Sequence, residues 1–276
     1  MAPSKPAAAD GPSLTLDNEA LARHYDRVSA ERQFVAGKQL AHALAIKAGE
    51  RVLDVGCGTG LLAEHIAGLT GPSGSVLGID PLPARIAIAV SRARDGLAFR
   101  VGDAYALGDL QSGSFDVVLL NAVFHWLPEK KAPLREFARL LRRGGRLGIS
   151  TRLNDHNSPI REAFVRVLAK PPFSEFPMRQ RPMVHRVSEQ EMGELLREAG
   201  FAVERLEVRR AVRKFGSADE MIRFSEASSF GNLLGNFPAE ARDAARDILT
   251  RELDEVLREG PLEDERFGLV AIGVRA

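Results

Sequence analysis

The feature of the sequence that most constrains its fold is a regular alternation of strand and helix patterns between Arg51 and Thr151. The segments "RVLDV", "SVLGID", "LAFRV", "FDVVLLN" and "RLGIST" are short and mostly apolar, as strands covered on both faces are. Apolar residues at helical spacing follow the first, second and fourth of these segments. The alternation therefore predicts an α/β fold with a doubly wound, largely parallel sheet.

Proline and glycine residues indicate where two of these helices begin or end. Pro81 and Pro83 stand where a helix that continues through residues 84–94 begins, because proline suits the first helical turn. Gly144 and Gly145 follow the helix that contains Leu134, and we expect them to end that helix before the strand "RLGIST".

The regular pattern stops after Thr151. Residues 152–187 are predicted to be an irregular insertion with one helix near residues 159–169, and residues 216–238 a helix followed by a glycine-broken loop. Both segments are apolar with scattered polar groups, so we expect them to form a lid over the functional site. Alternatively, their aromatic side chains only attach the two segments to the core.

Three more elements are predicted toward the C-terminus. Ser188 and Glu191 form a capping box at the start of a helix that Gly200 ends. "AVERLEVRRAVRKF" is typical of a long strand, and "AEARDAARDILTRELDEVLREG" of an amphipathic helix. "FGLVAIGVRA" is predicted to close the chain as a strand.

Composition narrows the kind of protein. The 276 residues carry a net charge of +1, which argues against a protein that holds nucleic-acid phosphates. No apolar run approaches the roughly 20 residues that cross a bilayer. Residues 1–18 have no apolar signal-peptide core and are predicted to be a disordered tail before one domain, residues 19–276. We expect a cytoplasmic monomer or homodimer without a membrane or nucleic-acid partner.

The turn after the first strand contains a spaced set of glycines behind an acidic residue. Asp54, Gly56, Gly58 and Gly60 give the pattern D-x-G-x-G-x-G between a buried strand and a helix. This spacing is not the G-x-G-x-x-G of dinucleotide sites, and the next three residues, "LLA", include no Walker lysine. A phosphate cradle is therefore not expected at this turn.

Two more carboxylates follow the second and third strands. Asp80 ends the second strand, at the place where an acidic side chain takes the ribose hydroxyls of an adenine nucleoside. Asp103 follows the third strand and can accept a hydrogen bond from an exocyclic amine such as that of adenine; for an isolated Asp, a solvated turn residue is equally expected. Open parallel sheets bind ligands at these carboxyl ends.

These segments together resemble a known superfamily. "VLDVGCGTG", "VLGIDPLPARI", "RVGDAYAL", "FDVVLLNAVFHWL" and "LLRRGGRLGIST" are similar to the successive motifs of class I S-adenosylmethionine (SAM)-dependent methyltransferases. The resemblance covers residues 20–151, the expected cofactor-binding core. It implies a Rossmann-like sheet of seven strands with the last one antiparallel, and SAM as cofactor without a metal.

The resemblance also implies a set of residues around SAM, from which S-adenosylhomocysteine remains after methyl transfer. Gly56 and Gly58 would approach the methionyl part, and Asp54 would accept from its ammonium directly or through water. The full set is Tyr25, Asp54, Gly56, Cys57, Gly58, Asp80, Pro81, Asp103, Ala104, Asn121 and His125.

Within this set, the resemblance assigns Asp80 to the ribose and Asp103 with Ala104 to the adenine. Tyr25 would cover the methionine end of the cofactor. Cys57 is the only cysteine of the chain, and we expect a packed residue and not a nucleophile, because no neighbour in the sequence lowers its pKa. Related enzymes that methylate arsenic use several cysteines.

The segment after the fourth strand is expected to lie beside the transferred methyl group. His125 there is a candidate general base or a donor to a substrate carboxylate; alternatively, it only hydrogen-bonds the cofactor loop. Trp126 is a candidate pocket wall or a packing residue. Candidate substrate-binding residues on this segment and the lid are Trp126, Asn154, His156, His185 and Phe230.

We therefore expect methyl transfer from SAM to a small organic molecule, at an oxygen of a carboxylate or hydroxyl. "NAVFHWLPE" is similar to the corresponding segment of trans-aconitate and malonyl-carrier carboxyl methyltransferases. The alternatives are an RNA- or nitrogen-directed methyltransferase and a SAM-binding relative without catalysis. An NAD-linked oxidoreductase fits less well, because the dinucleotide glycine spacing is missing.

Overall fold

The computed structural model describes residues 30–153, 158–175, 185–226 and 233–276, and within them seven strands form one sheet. Tyr25, Asn154, His156, Phe230 and the tail of residues 1–18 lie outside the described residues. The strands are β1 Arg51–Val55, β2 Ser75–Asp80, β3 Leu97–Val101, β4 Phe115–Asn121, β5 Leu141–Arg152, β6 Phe201–Phe215 and β7 Leu262–Arg275.

The strand order in the sheet is β3-β2-β1-β4-β5-β7-β6. Strands β1 to β5 are parallel to one another, whereas β7 is antiparallel to both β5 and β6. The Rossmann-like sheet of seven strands with an antiparallel last strand is thus confirmed. The order reverses between β1 and β4, and ligands bind such sheets at this crevice.

Helices connect the strands and lie on both faces of the sheet. Among the described residues they are α1 Ala30–Ala43, α2 Leu61–Thr70, α3 Pro83–Ala89, α4 Lys131–Leu140, α5 Pro159–Leu168, α6 Glu189–Glu198, α7 Ala218–Glu226 and α8 Ala239–Glu259.

Alternate residues of β4 show how the two faces are used. Val117 and Leu119 pack with residues of α1 and α2, whereas Val118 and Leu120 pack with residues of α4 and α6. All four side chains are 0% exposed. Burial on both faces explains why this strand is apolar at nearly every position, without the alternation of a half-exposed strand.

Two helix ends differ from the sequence expectations. The helix that begins at Pro83 ends at Ala89 and continues only as a 3-10 turn to Arg92. The expectation for Gly144 and Gly145 was wrong: α4 ends at Leu140, and β5 begins at once. The glycines lie where the pairing shifts from Phe115↔Leu141 to Val117↔Arg146, so they form an irregularity inside β5.

A second hydrophobic core lies away from the sheet faces. Helices α5, α7 and α8 bury it together with Phe215 at the end of β6 and Leu262 at the start of β7. Phe173 and Phe237, at 2% exposed each, lie in it with ring centres 5.3 Å apart. These two aromatic side chains therefore pack the two segments against each other in this second core. A lid role for the segments stays a prediction.

Candidate functional site

The glycine loop between β1 and α2 is fastened to the end of β2 by its own amides. Gly56 N and Cys57 N donate to Ile79 O at 2.7 Å and 2.9 Å, and Gly58 N donates to Asp80 Oδ2 at 3.0 Å. These amides are used inside the protein and are not free to cradle an anion. The loop geometry therefore agrees with the absence of a phosphate-binding motif in the sequence.

The glycines of this loop are required by backbone angle and by space. Gly56, Gly58 and Gly60 have φ values of 76°, 57° and 87°, in the region that favours glycine. A Cβ atom at Gly56 would lie 2.3 Å from Val123 Cγ2, so the glycine makes room for the segment after β4. A Cβ at Gly60 would lie 2.8 Å from the Phe99 ring. Close packing thus gives both positions a reason that needs no ligand.

Asp54 is a buried carboxylate with an unused oxygen. Its side chain is 1% exposed, and Oδ2 has no hydrogen-bond partner in the part of the chain that the structure describes. Burial, and secondarily the charge of Asp80, raises the pKa of Asp54 to about 7. An uncompensated buried acceptor of this kind favours a bound donor, and a cation above all.

A second acceptor without a partner lies in the same pocket. Asn121 donates from Nδ2 to Gln33 O at 2.9 Å, whereas its buried Oδ1 has no partner among the described residues. Asp54, Asn121, Phe34 and loop residues 56–59 line a cavity of about 40 Å³. This volume holds a group of a few water-sized atoms. An ammonium fits both the volume and the acceptors.

Asp80, at the end of β2, holds the glycine loop through its carboxylate. It is 4% exposed, and its oxygens accept from Gly58 N and Leu82 N, both at 3.0 Å. Both carboxylate oxygens thus help to fix the turns that follow β1 and β2. Pro81 follows on the surface. The ribose role of Asp80 stays a prediction, to which the structure adds a role in shaping the loop.

Asp103 forms the local turn that the sequence also allowed. Its side chain is exposed, and Oδ1 accepts from Tyr105 N at 3.0 Å. Ala104 between them is buried. Tyr105 Oη donates to Glu129 O at 2.7 Å, which ties this turn to the segment before α4. A contact of Asp103 with adenine stays a prediction.

His125 is buried at the carboxyl ends of β4 and β5. It is 6% exposed, and its Nδ1 lies 3.0 Å from Thr151 Oγ1. Burial, helped by the positive charges of Arg152, Arg186 and Lys130, lowers the pKa of His125 to about 3. The imidazole is therefore neutral near pH 7 and a weak base, which argues against the general base. Its Nδ1 contacts Thr151 on β5, and a bond to the cofactor loop stays a prediction.

Trp126 and His185 lie beside His125. The rings of His125 and Trp126 are 4.9 Å apart, and His185 N donates to His125 O at 2.8 Å. His185 Nε2 is buried without a partner among the described residues. A bridge between Leu153 and Val187 holds this part of the insertion against the end of β5. The structure thus brings three sequence-predicted residues into one cluster.

Cys57 is buried inside the loop, next to the two carboxylates. Burial, followed by the negative charges of Asp54 and Asp80, raises the pKa of its thiol well above the usual range. The protonated thiol is not a nucleophile, because only the thiolate reacts. This agrees with the expected packing role.

Lys130 is a buried residue of the site region that the sequence reasoning missed. It is 8% exposed, and its Nζ donates to Phe124 O at 2.6 Å and to Leu127 O. In the sequence it stands in the polar run "PEKKAP", where a lysine is expected on the surface. No local signal distinguishes it from its exposed neighbour Lys131.

The described residues contain neither a metal-binding cluster nor a membrane-spanning helix. No group of three or more His, Cys, Asp and Glu side chains in these residues is arranged to hold a metal ion. None of the helices described is both long and apolar enough to span a membrane.

Comparisons with known proteins agree with this geometry. Residues 53–149 match the "Methyltransferase domain" family model. The arsenite methyltransferase of Aquipseudomonas alcaligenes is 41% identical over 118 residues, 39% of this chain and 34% of that protein. The trans-aconitate 2-methyltransferase of Deinococcus radiodurans is 38% identical over 109 residues, 39% of this chain and 40% of that protein. The chain thus aligns with less than half the length of these curated relatives.

A solved structure supports the fold over a longer stretch. The YcgJ protein of Bacillus subtilis superimposes with a TM-score of 0.57 at 19% identity, covering 87% of this chain and 97% of that one. At this identity the likeness shows the fold alone. The domain match and the curated relatives agree with the strand order and the glycine loop, and residues 53–149 are a methyltransferase domain of the class I SAM-dependent type.

Proposed function

We propose that the protein transfers a methyl group from SAM to an oxygen of a small organic acceptor. The preferred acceptor group is a carboxylate, and a hydroxyl is the second choice. The choice of cofactor rests on two buried acceptors, Asp54 Oδ2 and Asn121 Oδ1, which have no donor among the described residues and line one small pocket beside the glycine loop. A ligand that satisfies both must bring hydrogen-bond donors, and the carboxylate favours a positive charge. The ammonium of the methionyl group meets both needs.

The other proposed cofactor contacts lie at the carboxyl ends of the neighbouring strands β2 and β3. Asp80 would hold the ribose hydroxyls from the end of β2, as the resemblance implies. Asp103 and Ala104, at the end of β3, would border the adenine. Tyr25 would cover the methionine end, as the resemblance implies. Phosphate-containing cofactors fit less well, because the loop amides are used internally and Asp54 repels anions.

The chain's contribution to the reaction is mainly alignment. Bound SAM supplies an electrophilic methyl group on a positive sulfur. The residues after β4 hold an acceptor oxygen in line with that group, and the cluster of His125, Trp126 and His185 keeps water from the same space. Such positioning supplies much of the barrier reduction when the electrophile is already reactive.

The state of His125 favours a carboxylate over a hydroxyl acceptor. An imidazole whose pKa is about 3 removes a proton from an alcohol poorly. A carboxylate is already ionised at neutral pH and needs no base. The cations that lower this pKa, Arg152, Arg186 and Lys130, also create a positive potential that favours an anionic acceptor. The neutral imidazole of His125, together with His185, then serves as a hydrogen-bonding group beside the acceptor.

The curated relatives support this choice in part. One of the relatives is named as a trans-aconitate methyltransferase, whose named substrate is a polycarboxylate. The arsenite relative suggests another acceptor, but Cys57 is the single cysteine of this chain and its thiol is held protonated. Arsenite binding through thiolates is therefore not supported by these residues. Monomer or homodimer assembly and a cytoplasmic location stay predictions.

A methyl-transfer screen tests the proposal. Labelled SAM is offered with pools of small carboxylic acids, alcohols, phenols and amines, and labelled products are separated from S-adenosylhomocysteine. We expect product in the carboxylic acid pools, released by mild base as methyl esters are. Product in the amine pools alone would overturn the oxygen acceptor. Calorimetry that shows no binding of S-adenosylhomocysteine would overturn the cofactor itself.

A further inference from the structure

The ammonium of Lys130 joins the two ends of a short turn. The 3-10 turn Phe124–Trp126 carries His125, and Leu127 ends it. Lys130 Nζ donates to the carbonyl oxygens of Phe124 and Leu127 and lies 4.7 Å above the centre of the Phe124 ring. Cations stabilise the carboxyl ends of helical turns, because the carbonyls there are partly negative.

The environment of this lysine differs from that of a surface ion pair. No carboxylate forms an ion pair with Lys130 in the described part of the chain, although Glu129 and Glu191 are near enough to act on it. The cost of burial outweighs those charges and lowers its pKa to about 8. Lys131, the next residue, is 56% exposed and pairs with Glu198 at 2.8 Å. A buried cation held only by carbonyls is costly, so a specific role is expected.

The turn connects the two halves of the site. Val123, immediately before it, fills the space at Gly56 in the cofactor loop. His125 and Trp126 lie on the turn itself, and His125 O holds His185 of the insertion. Rotation of the turn would thus displace the three residues of the acceptor cluster together.

We propose that Lys130 is a positioning residue, whose ammonium clamps the turn between Phe124 and Leu127 and so orients His125 and Trp126. The identity of the turn as the acceptor side rests on the proposed function. The clamp itself rests on the two carbonyl contacts, the burial and the ring contact. Lys130 touches no reacting atom and acts through the residues of the turn.

The test uses Trp126, the only tryptophan of the chain, as a reporter inside the turn. Acrylamide quenching of its fluorescence is measured at pH 7 for wild type, Lys130→Met, Lys130→Arg and the control Lys131→Met. In Lys130→Met the quenching constant should rise about twofold or more, because the turn loses its charge-assisted bonds. Lys130→Arg should keep most of the protection, since guanidinium also donates to two carbonyls. Lys131→Met should match wild type.

Thermal unfolding of each variant separates the clamp from a general effect on stability. Unchanged quenching in folded Lys130→Met would overturn the proposal, even if the variant melts at a lower temperature. If Lys130→Met does not fold, Lys130→Arg decides: quenching like wild type supports the clamp, and quenching doubled in the folded variant overturns it. Binding of S-adenosylhomocysteine is measured on the wild type alongside. Its absence would overturn the proposed function and leave the quenching result unaffected.

Discussion

The two sides of the candidate site are buried alike but charged oppositely. On the cofactor side, Asp54 is buried near Asp80, and its pKa rises to about 7. On the acceptor side, His125 is buried near Arg152, Arg186 and Lys130, and its pKa falls to about 3. Desolvation favours the neutral form on both sides, and the neighbouring charges strengthen that effect. These charges agree with the proposal of a cationic cofactor on the first side and an anionic acceptor on the second.

The substitution with the largest expected effect disrupts the packing of the segment after β4 on the glycine loop. Gly56→Ala should lower the free energy of unfolding by about 3 kcal/mol, because the new Cβ meets Val123 at a positive φ. Urea unfolding measures it. Gly68→Ala in α2 is the control, since a Cβ there meets nothing within 4 Å, and should be neutral or stabilising.

A double-mutant cycle sharpens this result. Val123→Ala removes the atoms that the new Cβ would strike, so the double variant should recover about 1–2 kcal/mol of the loss. The positive φ of Gly56 remains, and with it part of the cost. Strict additivity of the two single changes would show that Val123 and Gly56 do not compete for space.

The next largest effect is expected at Asp80, whose carboxylate binds the glycine loop and is proposed to bind the cofactor ribose. Asp80→Ala should weaken binding of S-adenosylhomocysteine on the order of 100-fold, because both the ribose contact and the bond to Gly58 N are lost. Asp80→Asn should weaken it less. Asp116→Ala, at the opposite end of the sheet, removes a similar charge and should leave affinity unchanged. Calorimetry that finds Asp80→Ala equal to wild type would refute the ribose role.

A smaller effect tests Asp54 by pH. The ammonium prefers the ionised carboxylate, so wild-type affinity for S-adenosylhomocysteine should rise about tenfold from pH 6 to 8. Asp54→Asn should bind more weakly and show little of this rise. Proton release, measured by calorimetry in two buffers, should approach one proton at pH 6. Affinity that is flat across this range in wild type would exclude the ionic contact.

The contribution of Asp54 to the stability of the ligand-free protein should fall as pH rises, whereas cofactor affinity should rise. Its folded pKa lies above the unfolded value of 3.8, so between that value and about 7 the folded protein binds more protons. Its contribution to stability is full below pH 3.8 and is lost as pH rises through about 7. At pH 8, Asp54→Asn should therefore raise the melting temperature of the ligand-free protein while weakening cofactor binding. A lower melting temperature would contradict this.

The smallest expected effect concerns His125. With the acceptor found by the screen, His125→Asn should lower turnover by less than about tenfold, because a weak base contributes little. Thr151→Val, which removes the partner of Nδ1, should give a similar effect. A loss on the order of 100-fold with cofactor affinity intact would restore His125 as the general base.

Sheet and cofactor loop were predictable because local patterns specify them. Strand β4 is apolar at nearly every position because both of its faces are buried. The positive φ angles of Gly56, Gly58 and Gly60 favour glycine at these positions. The close packing of Val123 on Gly56 was not predictable, because the two residues meet only through the pairing of β1 with β4. The irregularity at Gly144 and Gly145 was missed because a glycine pair after a helix has the same sequence signal as a helix end.

The sequence alone determined the fold class and the position of the carboxylates, since these depend on spacing along the chain, whereas the cofactor class came from the resemblance of its motifs to a known superfamily. Only the tertiary structure decided which groups are charged and which are unsatisfied. In the described part of the chain Asp54 Oδ2 lacks a donor, while His125 is neutral and Lys130 is buried. These properties depend on residues that are far away in sequence or that pack onto them from other elements. Solvation and neighbouring charge control these properties, and neither is set until the chain has folded.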